Sequence, residues 1–123
     1  VLSLGPIGNT VQEAIALISD SGKDTPLPAH YDMRFLKPID TAILREVGEK
    51  FTHIVTVEDG VIKGGLGSAV AEVLAEEYPV PVVKLGVYDE FGHSGPAVKL
   101  LDEFGLRAVN IKEKVLKAIE LKK

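Results

Sequence analysis

The sequence contains no cysteine, which excludes disulfides, thiolate zinc sites and a thiol nucleophile together. It has no apolar run approaching the ~20 residues that a membrane-spanning helix needs. The N-terminus lacks the basic start and long apolar stretch of a signal peptide, so the cytoplasm is the expected compartment. Basic residues number 14 against 18 acidic ones, a formal net charge of −4, and they are scattered except for a Lys-rich C-terminus. Nucleic-acid binding therefore has no electrostatic footprint. Neither nucleic acid nor a membrane is an expected partner.

What is present is an ordinary globular composition, 46% apolar and 26% charged. A chain of 123 residues is long enough for one domain with a real core and too short for two. A single domain over residues 1–123 is expected. Val1-Leu2-Ser3-Leu4 already lies inside a strand pattern, with no initiator Met and no leading turn. The expectation is of a fragment of a longer polypeptide.

The stretch Ile54 to Ala71, IVTVEDGVIKGGLGSAVA, organises the rest. Ile54 to Val57 reads as a strand buried on both faces. Glu58 and Asp59 end it, Gly60, Gly64, Gly65 and Gly67 loosen the backbone, and Ser68 to Ala71 opens an apolar helix. A strand, a glycine-rich turn and a helix start present backbone N–H groups over a sheet edge.

Around it, strands and helices alternate. Val1 to Leu4 is a strand closed by Gly5-Pro6. Thr10 with Glu13 matches a capping box for a helix carrying Val11, Ala14, Ile15 and Ile18 on one face. His30 to Phe35 reads as a strand. Asp40 caps a helix that carries Ala42, Ile43, Val47 and Phe51 inward. The helix after the glycines shows Val70, Val73, Leu74 and Tyr78 as its inward stripe, and Val82 to Leu85 is a fourth strand. Ser94 and Pro96 open a helix with Ala97, Leu100, Leu101 and Phe104 at helical spacing. Asn110 with Glu113 caps the last one, with Ile111, Val115, Ala118 and Ile119 inward. The predicted fold is α/β: three layers, α/β/α, with a mostly parallel doubly wound sheet in the order 2-1-3-4. Any crevice then lies between strands one and three, at Gly5 to Asn9 and Glu58 to Gly65.

No catalytic set emerges. The glycines imitate a dinucleotide fingerprint poorly, because they begin several residues after the strand and no acid ends the next strand. No Lys-Ser/Thr pair follows Gly67, so a phosphate-binding Walker loop fails as well. Glu58-Asp59 is a candidate chemical pair, but such a pair more often caps a turn or accepts backbone N–H bonds. Asp32 and Arg34 share one side of a strand and suit an ion pair or a partner contact. His30, His53 and His93 have no metal-ligand spacing among them, and no metal site is expected. His93, in FGHSG beside Ser94, is the best candidate for an anion contact. The candidate interdomain, dimer or anion-contact residues are thus Asp32, Arg34, Glu58, Asp59, Gly64, Gly65, Gly67, Ser68 and His93. None is assigned a catalytic role.

Through YDMRFLKPID (31–40), VTVEDGVIKGGLGSAVAEVL (55–74) and GVYDEFGHSGPAVKLLDEFGL (86–106), the chain resembles the C-terminal domain of the transketolase-like thiamine diphosphate enzymes. Within them it is most similar to the 1-deoxy-D-xylulose-5-phosphate synthases, while FGHSG looks more like transketolase itself. The resemblance covers essentially the whole chain. It implies a transketolase C-terminal domain-like fold whose further antiparallel strand precedes Val1. It also implies that thiamine diphosphate and Mg2+ are bound by the preceding domains of the same enzyme, with no cofactor expected in this fragment. The implied role is to pack on those domains and help form a homodimer, the fragment alone being inactive. The alternatives are the C-terminal part of a transketolase or of a 2-oxoacid dehydrogenase β-subunit, or a stand-alone anion- or nucleotide-binding regulatory module using Gly64 to Ser68 and His93.

Overall fold

The computed structural model describes residues 1–20, 27–33, 39–61, 65–87 and 107–120, with the backbone alone at 59–61 and 87. In order these form β1 (Leu2–Leu4), α1 (Gly8–Asp20), β2 (Tyr31–Asp32), α2 (Thr41–Lys50), β3 (Ile54–Val61), α3 (Leu66–Glu77), β4 (Val82–Val87) and α4 (Ala108–Glu120). The helix expected over Pro96 to Phe104 lies outside the described residues.

The four strands form one parallel sheet in the order β2-β1-β3-β4, as the alternation of elements predicts. Leu2 pairs with Tyr31 and with Thr56, Leu4 with Glu58, and Thr56 with Lys84. Successive side chains of a strand point to opposite faces, and β3 divides the core accordingly. Val55 and Val57 pack with Val11, Ile18, Ile111 and Val115 under α1 and α4. Ile54 packs with Leu2, Leu44, Leu66, Val70 and Leu74 under α2 and α3. Both faces are therefore covered, which is why β3 reads as a continuous apolar run rather than an alternating one.

Several boundaries differ from the expectations, each for a local reason. Helix α1 starts at Gly8 because the carbonyls of Gly5, Pro6 and Ile7 accept from the N–H groups of Gly8, Asn9 and Thr10 at 3.1, 3.1 and 2.9 Å. Thr10 is thus already inside the first turn and is not its cap. Helix α4 likewise starts two residues before Asn110, whose Oδ1 reaches back to accept from Arg107 N–H at 3.2 Å. Asn110 performs the return half of a capping box, where its leading half was expected. Asp40 caps α2 as expected, its Oδ1 accepting from Ile43 N–H at 3.1 Å. In α2 it is Leu44, Val47 and Gly48 that are buried, while Ala42 is exposed. Strand β3 runs four residues past Val57, and its pairing with β4 shifts register between Val57 and Val61. Strand β2 is two residues long, and Met33 follows it outside the strand.

Helices α2 and α3 meet at Gly48, where a Cβ would lie 2.7 Å from Tyr78 Cβ and 2.8 Å from its Cγ. The Tyr78 ring cannot swing away freely, because its hydroxyl donates to Glu49 Oε1 at 2.8 Å. The Arg45–Glu77 pair joining the same helices, at 2.9 Å, is exposed and adds little beside this contact. Gly48→Ala should gain about 1 kcal/mol of helix propensity and lose about 1–3 kcal/mol to overpacking. A net loss of stability is expected in urea denaturation.

Candidate functional site

In an open parallel sheet a ligand crevice forms at the carboxyl edge where the strand order reverses, here between β1 and β3. Leu4 and Glu58 face each other across that line, and α1 and α3 begin just beyond it. Both helices thus aim backbone N–H groups at the crevice. What those groups bond to decides the chemistry.

At α3 they bond to the chain itself. Glu58, 3% exposed, accepts from Leu66 N–H through Oε1 and from Gly67 N–H through Oε2, both at 2.9 Å. The N-cap of this helix, Gly65, has no side chain to bond these donors, so a carboxylate eight residues back along the chain supplies the acceptors. Negative charge is favourable at a helix N-terminus, and two charge-assisted bonds satisfy a group that would be costly to bury alone. At α1 the corresponding donors are taken by the carbonyls of the Gly5–Ile7 turn.

The floor beneath α3 is tight. A Cβ on Gly67 would lie 2.8 Å from both Thr56 Oγ1 and Lys84 Cγ, so the first turn rests directly on β3 and β4. Thr56 is fully buried there and its hydroxyl has no partner among the described residues.

Of the residues singled out from the sequence, Glu58, Gly65, Gly67 and Ser68 are brought together at this helix start, with Ser68 half-buried in the first turn and not at its cap. Asp32 lies exposed at the end of β2, opposite Ser3. With β1 between them, it is about 10 Å along the sheet edge from β3. Arg34, Gly64, His93 and the side chain of Asp59 lie outside what the structure describes. Among the described residues no group of three or more His, Asp or Glu side chains could hold a metal ion, and no helix is long and apolar enough to cross a membrane.

One cluster escaped the sequence reading. His30 Nε2 lies 2.6 Å from the Oγ of fully buried Ser3, and its Nδ1 lies 2.8 Å from Gln12 Nε2. Nothing in the spacing of Ser3, Gln12 and His30 announces this, although the expected pairing of the first two strands already places His30 near the start of β1. A separate cavity of about 350 Å³ opens at the opposite, amino-terminal edge of the sheet, among Leu27, Tyr31, Lys50, Phe51 and Ile119.

With this geometry in view, the similarities are informative. Residues 2–111 match the family model described as transketolase, C-terminal domain. A 1-deoxy-D-xylulose-5-phosphate synthase of Bacteroides thetaiotaomicron is 46% identical over 123 residues, covering 98% of this chain and 18% of that protein. The synthase of Parabacteroides distasonis is 45% identical over 118 residues, covering 95% and 18%. A solved structure described as a split gene transketolase, inactive β4 tetramer, superposes with a TM-score of 0.85 at 43% identity, covering 99% of this chain and 39% of that one. The chain thus spans under a fifth of the length of these curated relatives.

Two substitutions test the helix-start geometry. Glu58→Ala leaves two buried N–H groups without acceptors and should cost about 3 kcal/mol, read as a shift of the urea midpoint. Thr56→Val keeps the shape and removes an unpartnered hydroxyl, so stability should hold or rise by up to about 1 kcal/mol. A large loss in the valine variant would mean that the hydroxyl has a partner after all.

Proposed function

The chain belongs to the transketolase C-terminal domain family, and on that premise we propose that it is the structural and dimerisation domain of a thiamine diphosphate-dependent two-carbon transferase. The enzyme we infer is a 1-deoxy-D-xylulose-5-phosphate synthase, which joins the two-carbon unit left by decarboxylation of pyruvate to glyceraldehyde 3-phosphate for isoprenoid precursor synthesis. The observation that carries this reading is the Glu58 carboxylate at the head of α3. In an α/β fold that position is the natural seat for a ligand phosphate, and here an internal acid fills it.

The described residues do not fit thiamine diphosphate or Mg2+. The helix donors that would hold a diphosphate are spent on Glu58, and the described acids and histidines form no metal-ligating group. Both cofactors are accordingly assigned to the preceding domains of the same cytoplasmic enzyme, and no chemical step is derived from this chain. Asp32, Arg34, Asp59, Gly64 and His93 remain candidates for the interdomain or homodimer seam. The same spent donors weigh against a stand-alone anion-binding module built on Gly64 to Ser68.

The similarity to a split gene transketolase favours one second reading, in which this sequence ends a separate subunit that joins a partner chain. An immunoblot of native extract with an antibody to the domain discriminates between the readings. A band several times heavier than 13.2 kDa is expected for the full-length synthase. An intermediate band points to the split subunit, and a band at the domain's own mass overturns both. The isolated chain should show no turnover of pyruvate with glyceraldehyde 3-phosphate when thiamine diphosphate and Mg2+ are supplied. Measurable turnover would place catalytic groups on this chain.

A further inference from the structure

Strand β2 is an edge strand of two residues, with buried Met33 just after it and the Tyr31 ring edge-on to Phe51. Its ladder to β1 includes Tyr31 N–H donating to Val1 O at 2.9 Å and Met33 N–H donating to Ser3 O at 2.8 Å. The residue before it, His30, adds two side-chain bonds that tie it to two other elements, Ser3 on β1 and Gln12 on α1. With the Gln12 amide nitrogen facing Nδ1, that ring nitrogen accepts, and Nε2–H donates to Ser3 Oγ. The neutral imidazole uses both its nitrogens. The imidazolium, with a donor on each, faces the Gln12 donor with another donor and loses that bond unless the amide turns over.

We propose that His30 is a proton-sensitive fastener of β2, holding the edge strand to β1 and α1 when neutral and loosening it when protonated. The charges around it agree with this. Burial lowers the His30 pKa from the ordinary 6.5, and Asp32 on β2 opposes it. From α1 the group facing the ring is the uncharged Gln12. A histidine that is harder to protonate in the fold takes up its proton preferentially when the segment opens. Stability of the fastening is therefore full above the open-chain value and declines as pH falls through about 6.5 towards the lower folded-state value. In the isolated 123-residue chain the Val1 ammonium, lowered from 8.0 to about 6 by burial, titrates in the same range and lowers the His30 pKa further, so it must be separated from this effect.

The test is amide hydrogen exchange on the 123-residue chain with its N-terminus acetylated, which removes the Val1 titration. Protection of the Tyr31 and Met33 amides, normalised to the unfolded-peptide rate, should fall roughly threefold or more between pH 7.5 and pH 5.5. The Tyr78 amide, bonded to Leu74 O within the α3 terminus, should hold its protection. Gln12→Glu places a carboxylate beside Nδ1, which favours the imidazolium, so the acid-induced loss should vanish or reverse. His30→Gln should abolish the pH dependence. Because Gln12 is exposed on α1, the Gln12→Glu variant tests the idea even where the histidine variant folds poorly. Flat protection in the acetylated chain, or an undiminished acid loss in Gln12→Glu, overturns the proposal.

Discussion

A buried carboxylate facing the first turn of a helix is the interaction on which this sheet edge depends. Glu58 accepts from two consecutive N–H groups of α3, one on each oxygen. Each side resolves the other's difficulty: the helix start has donors with no intrahelical partner, and the acid has charge with no water. Because the acceptor belongs to β3 and the donors to α3, the bond also fixes where the connection between them must begin and end. The connection from β3 to α3 is thereby anchored at both sides.

The close packing of this face follows from that anchor. Helix α3 comes down far enough for Gly67 to rest on Thr56 and on the stem of Lys84, and any side chain larger than hydrogen would lift it. Leu66, Val70 and Leu74 are then buried along one stripe, and α2 is gripped against α3 where Gly48 meets Tyr78. The register shift between β3 and β4 falls just beyond Val57, at the point where Glu58 turns from the strand ladder to the helix. Thr56 carries the cost of this packing, its buried hydroxyl having no partner among the described residues.

Much of this was legible in the residues. Apolar runs alternating with helical stripes fix the strand order, because crossover connections leave few other arrangements for a parallel sheet. Asp40, Val70, Leu74, Ile111 and Val115 occupy the places their spacing implies. For Glu58, the modest alternative of accepting backbone N–H bonds is the one realised. The helix starts were harder to read. At Thr10 and Asn110 a capping residue type was present, but backbone carbonyls in one case and a back-reaching amide in the other did the work two residues earlier. Local propensity names the residues able to cap, whereas the preceding turn decides where the helix begins. The Ser3–His30–Gln12 cluster was illegible for a different reason. It joins residues 27 and 18 positions apart through side-chain bonds that no periodicity encodes.

The same accounting bears on what kind of part this domain is. Both faces of the sheet are covered by helices, and the helix donors described at its carboxyl edge are spent on the chain's own acceptors. A ligand-binding α/β domain leaves such donors free, because an oriented, unpaired N–H is what a phosphate needs. Here the Glu58 carboxylate on β3 occupies them, so the polar groups of the edge organise the domain's own backbone first. On the structural-domain reading proposed above, function is carried by shape and surface, and the residues that matter are those that hold the edge in a fixed position. Glu58 at the centre of the carboxyl edge and His30 at the margin are two versions of that task. The first is a bond between strand and helix in the interior, and the second is a bond at the periphery that a proton can weaken.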